Sequence, residues 1–352
     1  MGNTLSYIVS SLSVCSVYLA YVHIYCSYKS LRTNVLHGEK LPSFLFLYIK
    51  YWTRSLTRKS GHLNATPKTP ECVYTAIDNR LHTPVLRRFC SAAGYGWDYP
   101  DADFRDLPLC FPEFLCGRLL LMVVTNGNFR LSPAGLVLVR QSLKTLEPVD
   151  ELKKGPFTLQ VRVLEYRHVD TGVEVDICLS ATSYTRRPVW ESVLTLLSKN
   201  KRHKDSRCSS ETEDHSDQQS DEPVPENTKQ VDLRVPWSTG LQCVWTSSAY
   251  SPCWLLSLLT RLFGNKSHTV PTLWMLSVCL AEIEKHKGVN VITAPVNVSV
   301  RFKEPLLAPG KVTIKFWQPL ETGGRATAPA LKFHMQQYGS KILHMEGMIC
   351  RS

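Results

Sequence analysis

Residues 198–230, SKNKRHKDSRCSSETEDHSDQQSDEPVPENTKQ, contain almost no apolar side chains, so no continuous core can run through them. A basic block from Lys199 to Arg207 is followed by an acidic block from Glu211 to Glu222. Such a run buries too little surface to offset the entropy of ordering it and is read as a disordered charged linker. Ser209, Ser210 and Ser220 lie beside acids and are candidates for phosphorylation. The linker splits the 352-residue chain into two blocks, each large enough for a domain with its own core.

The two blocks share a grammar. In the first, residues 75–197, an apolar helix is expected over 115–125, with strands over 135–149, 157–167, 172–184 and 189–197. Asp170-Thr171-Gly172 joins the second and third strands as a hairpin turn. In the second block, 231–352, an opening strand over 231–235 precedes an amphipathic helix over 272–287. Leu273, Leu276, Leu280 and Ile283 recur on one face of that helix, Thr272 serves as its N-cap, and Gly288 ends it. Strands then follow over 289–302, 311–317, 330–338 and 341–349, with turns at Pro309-Gly310 and Gly323-Gly324. A helix followed by antiparallel strands, twice over, implies two copies of one α+β unit, each wrapping a sheet around a central helix.

Residues 1–60 read differently. Positions 5–28 carry no formal charge and are long enough to cross a bilayer as a helix. Lys29, Arg32, Lys40, Lys50, Arg54, Arg58 and Lys59 follow, and nothing basic precedes. The positive-inside rule then anchors the chain in a membrane with its C-terminal body in the cytosol. Gly2 and Ser6 also match the pattern for N-myristoylation, and residues 41–49 form a second apolar patch, too short to span, that suits the interface. The net charge of +11 is explained by this basic flank, and basic and aromatic residues do not alternate as in a nucleic-acid groove. The 12 cysteines form no CxxC pair and no Cys/His cluster at metal-ligand spacing, so reduced thiols are expected and neither a metal nor a cofactor. Sequons at Asn64, Asn265 and Asn297 do not alter that reading.

Three runs together carry a resemblance: FPEFLCGRLLLMVVTNGNFRLSPAGLVLVRQSL (111–143), SSAYSPCWLLSLLTRLFGNKSHTVPTLWM (247–275) and RFKEPLLAPGKVTIKFW (301–317). In order and spacing they resemble the MaoC-like family of (R)-specific enoyl-thioester hydratases and 3-hydroxyacyl-thioester dehydratases, in its two-repeat form. The likeness covers residues 111–349 outside the linker. It implies an α+β double hotdog, here preceded by the membrane-anchor helix, whose repeats pair within the chain. It also implies an acyl-CoA or acyl-carrier thioester as partner.

Hydration of an enoyl thioester needs an acid or base to move protons and an N–H donor for the thioester oxygen. The family supplies these from an Asp-x-Asn-Pro-x-His loop and a His-Gly pair at the helix start. Aligned through Pro252 and the Arg261–Gly264 turn, the Asp position is Ala249, the Asn position Ser251 and the His position Trp254, while Pro271 and Thr272 replace His-Gly. Both acid/base positions are thus substituted and no catalytic residue of the motif is intact. Tyr250, Ser251, Pro252 and Thr272 remain as candidate ligand-binding residues. A catalytically inactive protein that binds acyl thioesters, or partners in lipid metabolism, is therefore expected. One alternative is an active hydratase or dehydratase using displaced groups such as His268. Another is a non-enzymatic adaptor acting through the charged linker.

Overall fold

Apolar side chains recur on helical spacing through residues 11–60, and this part folds into short elements. The computed structural model describes residues 11–64 (without 12, 15, 19, 20 and 32), 72–96, 99, 106–200, 228–239 (without 238), 268–319 and 330–351. A π-helical turn, Tyr21–Tyr25, leads into α1 (Cys26–Ser30), then strand β1 (Val35–His37) and helix α2 (Phe44–Thr57). The spanning helix expected over residues 5–28 is corrected in part: among the described residues no helix is long and apolar enough to cross a membrane. The end of that segment packs on protein instead, because Ser43 N donates to the buried Ser27 Oγ at 3.0 Å. Residues 1–10 lie outside the described residues, as does the linker over 201–227.

The first repeat opens with β2 (Val73–Asn79), whose Tyr74 and Ala76 point inward, followed by α3 (Thr83–Ala92) and α4 (Phe111–Val124). Pro112 sits in the first turn of α4, where its missing N–H costs nothing, so the helix begins four residues before the apolar run suggests. Four strands then wrap it: β3 (Leu136–Thr145), β4 (Phe157–Val169), β5 (Gly172–Thr182) and β6 (Pro188–Lys199). The hairpin turn at Asp170-Thr171 is present, with Val169 paired to Gly172. Only glycine fits at 172: its φ is +151°, and a Cβ there would lie 2.1 Å from Ser198 O.

The second repeat repeats the order. Strand β7 (Lys229–Val235) is followed by the short β8 (His268–Thr269), helix α5 (Thr272–Lys287), β9 (Val296–Phe302), β10 (Leu307–Ala308), β11 (Gly310–Trp317), β12 (Ala330–Gln337) and β13 (Leu343–Arg351). Three expectations are corrected here. Pro271, extended at φ −62° and ψ 137°, is the N-cap, and Thr272 is the first helical residue. The strand expected from 289 starts at Val296, because a 3₁₀ turn over Val289–Val291 and Pro295 precede it. Finally, α5 is enclosed rather than amphipathic: every residue from Leu273 to Glu284 is buried. The turn at Gly323-Gly324 lies outside the described residues.

All the long strands join one 11-stranded sheet in the order β1-β2-β4-β5-β6-β3-β9-β13-β12-β11-β7. Counted from its own first strand, each repeat has the same arrangement, first-third-fourth-fifth-second, which is the hotdog topology. The second strands meet antiparallel at the centre, from Arg140 opposite Arg301 to Thr145 opposite Val296. Leu143, fully buried opposite Val298, fills the core beneath this junction. Leu143→Ala should lower the unfolding free energy by about 2–5 kcal/mol. In urea titrations this reads as a lower midpoint with an unchanged slope, whereas the exposed neighbour Lys144→Ala should leave the midpoint in place.

Candidate functional site

The start of α5 is where the resemblance places the chemistry. Its position is set by a small clip: β8 pairs with β10, His268 opposite Ala308, and Val270 N donates to Leu306 O at 2.8 Å. The helix is then held against the first repeat by Trp274, whose Nε1 donates to Ala92 O at the end of α3 at 2.8 Å. Trp274 N and Met275 N both donate to Pro271 O, while the N–H groups of Thr272 and Leu273 have no acceptor within the helix. Thr272 is half-buried in this first turn, at the electropositive end of the helix dipole.

Proton-moving side chains are scarce along this helix. From Thr272 to Ala281 the sequence TLWMLSVCLA carries one titratable group, Cys279, and its thiol is pushed far up by burial. Glu282 and Glu284, expected at a solvated end, are instead buried, 8% and 5% exposed. Lys285 Nζ donates to Glu282 at 2.6 Å, and Tyr99 Oη donates to Glu284 from the first repeat at 3.3 Å. Of the other candidates, Ala249, Tyr250, Ser251, Pro252 and Trp254 lie outside the described residues. The structure therefore brings Thr272 to a helix start beside the first repeat and leaves the loop residues unplaced.

A second polar cluster lies at the matching point of the first repeat. Glu113, in the first turn of α4, is fully buried, and Gln141 Nε2 on β3 donates to its Oε2 at 2.5 Å. The same amide reaches Ser192 Oγ on β6 at 3.2 Å. Cys110, just before α4, is hydrogen-bonded by Ser277 of α5, so the two central helices touch through polar groups here. The Cys110 thiol is raised by burial and then by the Glu113 carboxylate, and Cys116 is raised for the same two reasons. None of these thiols is a nucleophile at neutral pH. Sequence reasoning missed Glu113, although a lone acid inside the run FPEFLCGRLLLMVV was a visible signal. Among the described residues no group of His, Cys, Asp and Glu could hold a metal ion.

No protein-family profile matches the sequence, and no curated protein does. Solved structures do match. HtdX of Mycobacterium tuberculosis superimposes with a TM-score of 0.57 at 16% identity, over 79% of this chain and 98% of that one. A MaoC-like dehydratase from Phytophthora capsici gives 0.57 at 13% identity, over 81% and 96%. The peroxisomal multifunctional enzyme type 2 of Drosophila melanogaster gives 0.56 at 12% identity, over 80% of this chain and 48% of that longer one. Two repeats of identical strand order, joined through their second strands around two buried helices, give this chain the double-hotdog fold of the MaoC-like dehydratases.

Proposed function

We propose that the chain binds acyl thioesters of the fatty acyl-CoA class without hydrating them, and that its N-terminal segment holds it at a membrane with the body in the cytosol. The observation that carries the first part is the chemistry at the start of α5. The helix offers N–H groups for a thioester oxygen at Thr272 and Leu273, yet its only titratable side chain before Glu282 is a buried, protonated thiol. The sequence places alanine and tryptophan at the family's acid/base positions, Ala249 and Trp254, and neither moves a proton. The dehydratases that share the fold support the ligand class, since fold alone does not fix function. For the membrane, support comes from the basic flank and from Tyr21, Ile24, Tyr25 and Tyr28, which are 48–58% exposed.

Equilibrium dialysis with hexadecanoyl-CoA should show saturable binding. Incubation with trans-2-decenoyl-CoA at high protein concentration should leave the enoyl absorbance unchanged. Absence of binding would overturn the ligand assignment, and turnover would overturn the loss of chemistry.

Glu113 favours a second reading, an active hydratase working through a displaced carboxyl. On that reading Glu113→Gln abolishes enoyl turnover with the fold intact, and His268→Ala separates it from the other displaced candidate. On the first reading Glu113 and Gln141 are packing groups. Gln141→Leu, which removes the amide donor from a buried carboxyl, should then cost about 1–3 kcal/mol of stability and leave acyl-CoA binding unchanged.

The cysteines give an independent check. Cys90 is buried, and its thiol is pushed up to about 12 by burial and then by the nearby Glu284. Cys90, Cys110, Cys116 and Cys279 should therefore resist iodoacetamide near neutral pH in the folded protein, while exposed Cys26 is alkylated. Peptide mass spectrometry reads the difference directly.

A further inference from the structure

Helix α2 is firmly docked on the first repeat, yet it turns an apolar face to water. Its inner side is fixed by fully buried Leu47 and by Tyr51 Oη, which donates to Pro133 O at 2.9 Å. The Arg58 guanidinium donates to the carbonyls of Gly127, Phe129 and Leu131. On the opposite side Leu45, Ile49, Trp52 and Leu56 follow each other at helical spacing and form one stripe. Leu45 is 58% exposed, Ile49 47% and Leu56 82%, and Trp52 is half-buried.

The other outward positions are Thr53 and Thr57, so no charge stands on this face. A surface helix ordinarily presents its polar side to solvent. Scattered exposed apolar residues are common, but an aligned stripe on a docked helix marks a covered surface.

Charge identifies what covers it. Lys50 and Arg54 flank the stripe one turn apart, and among the described residues neither pairs with a carboxylate. The Lys50 amine is lowered by burial and by the neighbouring guanidinium of Arg54, a repulsion that an anion would relieve. Across residues 1–60 the only carboxylate side chain is Glu39, against seven positions bearing Lys or Arg. An apolar stripe edged by unpaired cations matches the layering of a bilayer, with acyl chains beneath phosphates. A second copy of this chain fits poorly, because two such faces would bring like charges together.

We propose that the outer face of α2 lies in the plane of an anionic lipid surface, with Leu45, Ile49 and Leu56 below the headgroups, Trp52 at their level, and Lys50 and Arg54 on phosphates. This deepens the membrane reading above and is independent of the acyl-thioester one. It gives the body a fixed orientation on the bilayer, which an anchor at the chain's start would not supply.

The test uses the full chain with phosphatidylcholine/phosphatidylserine vesicles containing lipid dibrominated near the headgroup. Tryptophan fluorescence should be quenched, and Trp52→Phe should remove a distinct part of that quenching. The triple variant Leu45→Asp/Ile49→Asp/Leu56→Asp should lose the Trp52 component while keeping its thermal transition. Lys50→Gln and Arg54→Gln should each weaken partition into anionic vesicles about fivefold. If the protein sediments with vesicles but no quenching depends on Trp52, the inference is overturned and the N-terminal anchor stands. If the protein does not associate with vesicles, both fail. A concentration-dependent dimer that the triple variant abolishes would assign the face to a second copy and overturn the inference equally.

Discussion

The antiparallel ladder between β3 and β9 is the contact on which the rest of the architecture depends. Each repeat alone would leave its second strand as an open edge, a row of unpaired N–H and C=O groups. Pairing Arg140 through Thr145 with Arg301 through Val296 satisfies both edges at once and makes one sheet of two. At its end the ladder is reinforced by a side chain, since Val296 N donates to Thr145 Oγ1 at 3.1 Å and that hydroxyl donates to Val296 O at 3.4 Å. Because the ladder is antiparallel, it relates the repeats by an approximate two-fold axis. That symmetry sets the starts of α4 and α5 at equivalent points, which is why polar groups recur at both.

Much of this was legible because the pattern follows from periodicity. The helix at Thr272–Lys287 has the bounds its sequence indicates, and the strands from 157 onward agree to within a few residues. What failed did so for identifiable reasons. Enclosure of α5 by a sheet and by the first repeat cannot be seen from a single helix, so Leu273, Leu276, Leu280 and Ile283 look like one apolar stripe when the whole circumference is buried. The same blindness put Glu282 and Glu284 in solvent. Thr272 fits the preference for hydroxyls at N-caps, but Pro271 already holds the extended geometry the cap requires. Strand β2 was missed because VYTAIDN is short and stands apart from the other strands, beyond α3 and α4.

The candidate site was legible in a different way. Residue types at motif positions say which proton carriers are lacking, and this follows from chemistry alone. Where the remaining polar groups lie does not. Glu113 meets Gln141 and Ser192 only because β3 and β6 are neighbours beneath α4, a pairing set by the hotdog topology and invisible in local sequence.

Two buried carboxyls show how such a fold holds its shape without a catalytic loop. Glu113 stands in the first turn of α4, where the helix dipole favours a negative charge, and draws its donor from the junction strand. Glu284 stands in the last turns of α5, where the dipole opposes it, and it is held by a hydroxyl from the other repeat, Tyr99, which also donates to Asp106 O at 2.9 Å. A buried carboxyl is a costly choice where an aliphatic side chain would pack, and removing its donor costs more than exchanging both partners. Contacts of this kind therefore favour one relative placement of the two repeats over its alternatives. With the ladder, the Trp274–Ala92 bond and these carboxyls fixing that placement, residues 240–267 are not needed to hold the repeats together. Their sequence is then free to change at Ala249 and Trp254 while the surrounding sheet and helices keep the shape of a hydratase fold.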